Sequence, residues 1–141
     1  MAVVFFDSSA FVKLLVEEDG SDTAARLWDE ADAVVASRLA LPEVSAALAA
    51  ARRGGRLEPH DEHSARRAWD EFWDATRVIE LTEHLAEVAS ALAAQKVLGG
   101  ADGVHLASAL TPAEADLVLV TWDRRLSTAA VEAGVMVAPA S

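Results

Sequence analysis

The 141-residue chain has no cysteine. Disulfides, thiolate zinc sites and a cysteine nucleophile are therefore excluded, and a reducing cytoplasm is a compatible setting. The opening Met1-Ala2-Val3 lacks a basic leader, and the apolar run that follows is broken by Asp7. Neither a signal peptide nor a membrane span is expected, which makes a soluble, cytoplasmic protein the expectation. Positive charge is scarce: 12 Lys and Arg stand against 23 Asp and Glu, a formal net charge of -11. Such a balance disfavours a simple electrostatic grip on nucleic acid. Half of the basic residues lie in one stretch, Arg52, Arg53, Arg56, Arg66, Arg67 and Arg77. Interleaved Glu58, Asp61, Glu62, Asp70, Glu71 and Asp74 favour a solvated, ion-paired helix face there over a phosphate-binding one. Repeats, low-complexity tracts and long linkers are also missing.

What is present is apolar residue in regular patterns, 52% of the chain, enough for a substantial core in a single domain spanning residues 1–141. Val3-Val4-Phe5-Phe6 is a strand apolar on both faces, as in the middle of a parallel sheet. Asp7-Ser8-Ser9 ends it and leads into a helix through Ala10 to Val16. Asp19-Gly20 and Ser21-Asp22 separate that helix from a short one through Trp28. A second strand follows at Ala33 to Ala36, and a helix with Pro42 and Glu43 in its first turn runs to Gly54-Gly55. Leu57-Glu58-Pro59 opens a helix striped with Ala65, Ala68, Trp69, Phe72 and Trp73, a core face whose alternative is a partner groove.

Val78 to Leu81 is expected as a third strand, with Thr82 capping a helix that carries Leu85, Val88, Ala89 and Leu92 and ends at Gly99-Gly100. Asp102 opens the next helix, closed near Thr111-Pro112. Leu117 to Val120 is a second fully apolar strand, and like the first it ends in a polar turn, Thr121-Trp122-Asp123. A last helix through Leu126 and Val131 is capped by Gly134, and Val135 to Val137 closes the sheet. Alternating strands and helices predict a three-layer α/β/α domain with a central, mostly parallel sheet.

Four carboxylates stand out. Asp7 and Asp123 each follow an apolar strand, while Glu43 and Asp102 each sit in a first helical turn. If the strands are parallel, all four converge at the carboxyl edge of the sheet, where open α/β sheets bind ligands. Singly, each is also readable as a helix cap or a surface charge. Together they would repel one another unless a cation sat among them. Oxygen-only ligation fits magnesium, with manganese as the alternative, and hydrolysis of a phosphodiester is the natural use of such a site.

At this point the sequence resembles a family. Phe6-Asp7-Ser8-Ser9-Ala10, Glu43-Val44, Ala101-Asp102 with His105-Leu106-Ala107-Ser108-Ala109-Leu110, and Thr121-Trp122-Asp123-Arg124-Arg125-Leu126 match the PIN-domain ribonucleases. The match is strongest to the VapC-type toxins of type II toxin-antitoxin pairs. The resemblance implies an acidic site of Asp7, Glu43, Asp102 and Asp123. Asp7 and Asp102 are then the direct metal ligands and Thr121 the accompanying hydroxyl. Ser8 and Ser9 read first as helix caps, with one hydroxyl or backbone N–H, Ser9 as the supporting candidate, able to meet a substrate phosphate. It further implies an RNA substrate, a cognate VapB-type antitoxin that places a basic side chain against the acids, and a homodimer. Gly103 departs from the alanine common there and is expected to loosen the turn holding Asp102. Pro42 directly before Glu43 is the second departure. His105, one turn after Asp102, is expected to pack and hydrogen-bond in the core rather than act as a general acid.

Two other classes remain open on sequence. A phosphohydrolase or phosphoacceptor using Asp7 would want a second acid two residues on, and Ser9 stands there. The other is a PIN-like domain that binds RNA or a protein partner without cleavage.

Overall fold

The computed structural model of the protein describes residues 2–139. Five strands form one sheet in the order β3-β2-β1-β4-β5, and every neighbouring pair is parallel. They are β1 (Val3–Phe6), β2 (Ala33–Ser37), β3 (Arg77–Ile79), β4 (Val118–Val120) and β5 (Met136–Ala138). The helices are α1 (Ser8–Leu15), α2 (Ser21–Glu30), α3 (Ala40–Arg53), α4 (Pro59–Asp74), α5 (Glu83–Lys96), α6 (Gly100–Ala109) and α7 (Arg124–Glu132). The apolar run of β1 takes the centre because only a central strand buries both faces. Val4 and Phe6 point to one layer and Phe5 to the other, and all three are buried.

The first layer packs α1 to α4 on the sheet. Its core is Phe6, Phe11, Val44, Leu48 and Trp69, with Trp28, Phe72 and Trp73 closing its margin. Phe11 meets Trp69 edge-on at 4.9 Å, and Trp28 meets Phe72 likewise at 4.9 Å. The aromatic stripe of α4 is thus core, not a free groove, because its partners are aromatic side chains of α1 and α2. The second layer sets Leu106 of α6 and Leu126, Ala129 and Ala130 of α7 on Phe5, Val35 and Leu119. A smaller cluster of Leu85, Ala89 and Ala107 joins α5 to α6.

Several boundaries differ from the sequence expectation for local reasons. The fifth helix stops at Lys96 on a left-handed Val97 (φ 54°), ahead of Gly99-Gly100. The sixth begins at Gly100 with Gly99 as its N-cap, so Asp102 lies inside the first turn instead of opening it. The third strand is Arg77–Ile79, since Arg38 N–H takes the Ile79 carbonyl and Glu80 turns its side chain out to Arg38. The expected terminator of α7 holds: Gly134 follows the helix at φ 87°.

A candidate acidic site at the carboxyl edge

The chain leaves β1 for β2 and β3 on one side, then returns to place β4 on the other. The carboxyl ends of β1 and β4 therefore bound the crevice at which strand order reverses, the usual ligand position in such sheets. Asp7 follows β1, and Thr121, Trp122 and Asp123 follow β4. The backbone ties the two turns together, Asp7 N–H donating to the Val120 carbonyl at 3.3 Å.

Asp7 is 4% exposed and fully partnered. Its Oδ1 accepts from the Ala10 N–H at 3.0 Å, which makes it the N-cap of α1, and from Ser9 Oγ at 2.7 Å. Its Oδ2 accepts from Thr121 Oγ1 at 2.5 Å. The cap and the site residue are one and the same side chain. Thr121 Oγ1 also accepts from the Asp123 N–H at 3.0 Å, and Ser9 Oγ from the Trp122 N–H at 3.0 Å. Asp123 caps α7 through the Leu126 N–H at 3.1 Å. The turn after β4 needs Gly20 beside it. That residue has φ 94°, and a Cβ on it would stand 2.8 Å from Trp122 Nε1.

Glu43 is held from two sides. Ser8 Oγ donates to Glu43 Oε1 at 2.6 Å, and His105 Nε2 donates to the same oxygen at 2.6 Å. His105 is 2% exposed, sits edge-on to Phe5 at 6.4 Å, and its Nδ1 has no partner among the described residues. The expectation that it packs and hydrogen-bonds in the core holds. Sequence did not reveal what it bonds to, since Glu43 lies 62 residues away.

Electrostatics bind these groups into one site. Burial pushes the Asp7 carboxyl up, against the pull of its hydroxyl partners. Asp102 is raised by burial first and then by the charge of Asp123, with Asp7 and Glu43 adding to it. Burial works against the charged imidazole of His105, but the bond to Glu43 and the field of Asp7, Glu43 and Asp102 leave its pKa raised. Glu43 loses by burial and gains more from His105 and Ser8, so its pKa is lowered. Asp7, Glu43, Asp102 and Asp123 thus share one neighbourhood. Among the described residues none of them is ion-paired to a Lys or Arg.

No three His, Asp or Glu side chains among the described residues are gathered tightly enough to hold an ion between them. The four carboxylates offer oxygen donors alone, the chemistry a hard cation takes, and the compensating side chain bonded to them is His105, on Glu43.

Comparison with known proteins agrees with the fold. The PIN domain family profile matches residues 4–132, and the chain belongs to that family. Its VapC-type branch is where the chain falls. Ribonuclease VapC45 of Mycobacterium tuberculosis (strain CDC 1551 / Oshkosh) is 54% identical over 140 residues, 99% of this chain and 97% of that protein. The crystal structure of PAE2754 from Pyrobaculum aerophilum superposes with a TM-score of 0.69 at 25% identity, covering 97% of this chain and 92% of that one. A toxin-antitoxin complex from Klebsiella pneumoniae has the same fold, with a TM-score of 0.62 at 21% identity over 88% of this chain and 89% of that one.

Proposed function

We propose that the chain is a metal-dependent endoribonuclease, the growth-inhibiting toxin of a type II toxin-antitoxin pair. One observation carries the reading: Asp7, Glu43 and Asp123, each from a separate element, lie close enough for their charges to act on Asp102, and among the described residues none of the four is ion-paired to a Lys or Arg. A structural cluster of that kind would be self-destabilising, so a cation and an anionic substrate explain it better than stability does. The relative named a ribonuclease at 54% identity supports the reaction class. The toxin-antitoxin complex of like fold supports an antitoxin partner.

Asp7 and Asp102 would hold the ion, magnesium or manganese, with Glu43 and Asp123 completing the site directly or through water. When bound, such an ion lowers the pKa of a coordinated water, orients it toward the phosphodiester and stabilises the leaving oxygen. Thr121 and Ser9 fix the Asp7 carboxylate in one rotamer, so it presents the same oxygens at each encounter. Ser8 and His105 do the same for Glu43. A VapB-type antitoxin would bring a basic side chain into the acid cluster, where among the described residues no Lys or Arg is already ion-paired to the acids. A homodimer has exposed apolar side chains to draw on, among them Leu81, Leu110 and Met136. No described helix is long and apolar enough to cross a membrane.

The test is a manganese titration by calorimetry on protein freed of partners, beside an Asp7→Asn, Asp102→Asn double variant. Total bacterial RNA is then incubated with each protein, with manganese and with EDTA. Binding and cleavage in the wild type, both lost in the double variant and cleavage lost in EDTA, are the expected results. Equal binding by the two proteins, or intact RNA throughout, defeats the reading and leaves a PIN-like binding domain.

A further inference from the structure

An RNA strand that reaches the acids must cross the surface of a chain whose net charge is -11. It therefore needs a local track of cations. The arginine-rich stretch does not supply one beside the site. Arg56 approaches Glu18 at 3.8 Å, Arg66 approaches Glu62 at 3.4 Å, and Arg77 approaches Glu114 at 3.7 Å. Arg52 and Arg53 stand in the last turn of α3, at the opposite end of that helix from Glu43, and Arg67 is exposed on α4, which contributes none of the four acids. The track lies elsewhere. A cavity of about 420 Å³ opens directly beside Asp123, walled by Trp122, Arg124, Ser127 and Thr128. A second of about 420 Å³ adjoins it, sharing Arg124 and Thr128 and extending to Arg125 and Lys96. Arg124 and Arg125 are exposed and, among the described residues, carry no carboxylate partner. Lys96 is held at 3.5 Å by Glu132, the one acid on the second cavity's wall.

The two cavities share Arg124 and Thr128 and together follow α7 from Asp123 to Glu132. Their walls offer what a single strand requires, guanidinium groups for phosphates and hydroxyls beside them. From this we infer that the RNA strand leaves the acidic site across the N-terminal half of α7. Arg124 takes the phosphate next to the scissile one, and Arg125 takes the phosphate beyond it. The inference rests on the ribonuclease reading and adds the path of the substrate to it.

The test uses Arg124→Ala, Arg125→Ala, with Arg124→Glu, Arg125→Glu as a second variant. Acidic side chains in a first helical turn are favoured by the helix dipole, so the charge reversal does not depend on a weakened α7. An Arg66→Ala, Arg67→Ala variant on α4 is the comparison. Cleavage of total bacterial RNA is followed with manganese at several salt concentrations, and manganese binding by calorimetry. The expected outcome for the alanine pair is a KM raised at least about tenfold at physiological salt, with kcat and manganese affinity retained. Its log-log salt slope becomes shallower by about 1.4, two lost contacts at about 0.7 each. The glutamate pair loses more, and the α4 pair behaves as the wild type. If the wild type cleaves and the α7 alanine pair cleaves equally at every salt concentration, the path is wrong while the nuclease stands. If the α4 pair carries the loss, the path is equally wrong. If the wild type leaves RNA intact, the nuclease reading itself fails and the path with it.

Discussion

Burial costs the Asp7 carboxylate more than its partners return, so its pKa stays raised. Three donors, from Ser9, Ala10 and Thr121, take up its two oxygens and repay part of its desolvation. Asp102 lacks such support: its raised pKa comes from burial and from the acids around it. An acid whose pKa is raised on folding adds stability below its unfolded pKa, and that contribution is lost as pH rises through the folded value. In the metal-free protein Asp102 therefore becomes a liability above the ordinary carboxylate range. Asp102→Asn, neutral at every pH, is expected to melt above the wild type in EDTA at pH 7.5. The gain is about 0.5–1 kcal/mol, kept small by solvent screening of a partly exposed group. At pH 4 the difference shrinks, and with manganese at pH 7.5 the order reverses. Paired thermal melts measure it, and a variant less stable than the wild type in EDTA at pH 7.5 would count against the crowding.

The α5–α6 pair sets where Asp102 stands. Gly103, expected to loosen that turn, does the opposite: a Cβ there would lie 2.8 Å from the Ala89 carbonyl oxygen and 3.1 Å from Ala93 Cβ. The bare backbone lets α6 close on α5. Gly103→Ala gains about 1 kcal/mol of helix propensity but forces two backbones apart, an overpacking cost of about 1–3 kcal/mol. A net loss of up to about 2 kcal/mol by urea unfolding is expected, together with weaker manganese binding as Asp102 shifts. A variant as stable as the wild type and equal in affinity would show that the helices yield freely. Periodicity exposed most elements, because β1 and β4 are apolar throughout and their ends are marked by Asp7 and Asp123. It could not expose contacts between elements far apart in sequence. The Glu43–His105 bond and the Gly103 contact depend on how α3, α5 and α6 are laid on the sheet, which no local pattern encodes. The early start of α6 was equally hidden, since Gly99 caps it through backbone geometry and not through a side chain.

On the scale of the whole molecule, charge acts in two ways that are separable by experiment. The net charge of -11 disfavours the compact state through diffuse repulsion, which any salt relieves by screening. The acid cluster is a local excess, which only an ion bound among the carboxylates relieves. Sodium chloride should therefore raise the melting temperature gradually, and to the same extent in the wild type and in the Asp7→Asn, Asp102→Asn variant. Manganese at constant ionic strength should raise it in the wild type alone, following mass action: about 2.7 kcal/mol at a concentration one hundred times the dissociation constant. Differential scanning fluorimetry with both titrations distinguishes the terms. An equal manganese effect in the two proteins would mean that the ion acts as general screening, and the carboxyl edge would then lose its standing as a metal site. A wild-type-specific effect that saturates would tie the cation to the crevice where β1 and β4 part.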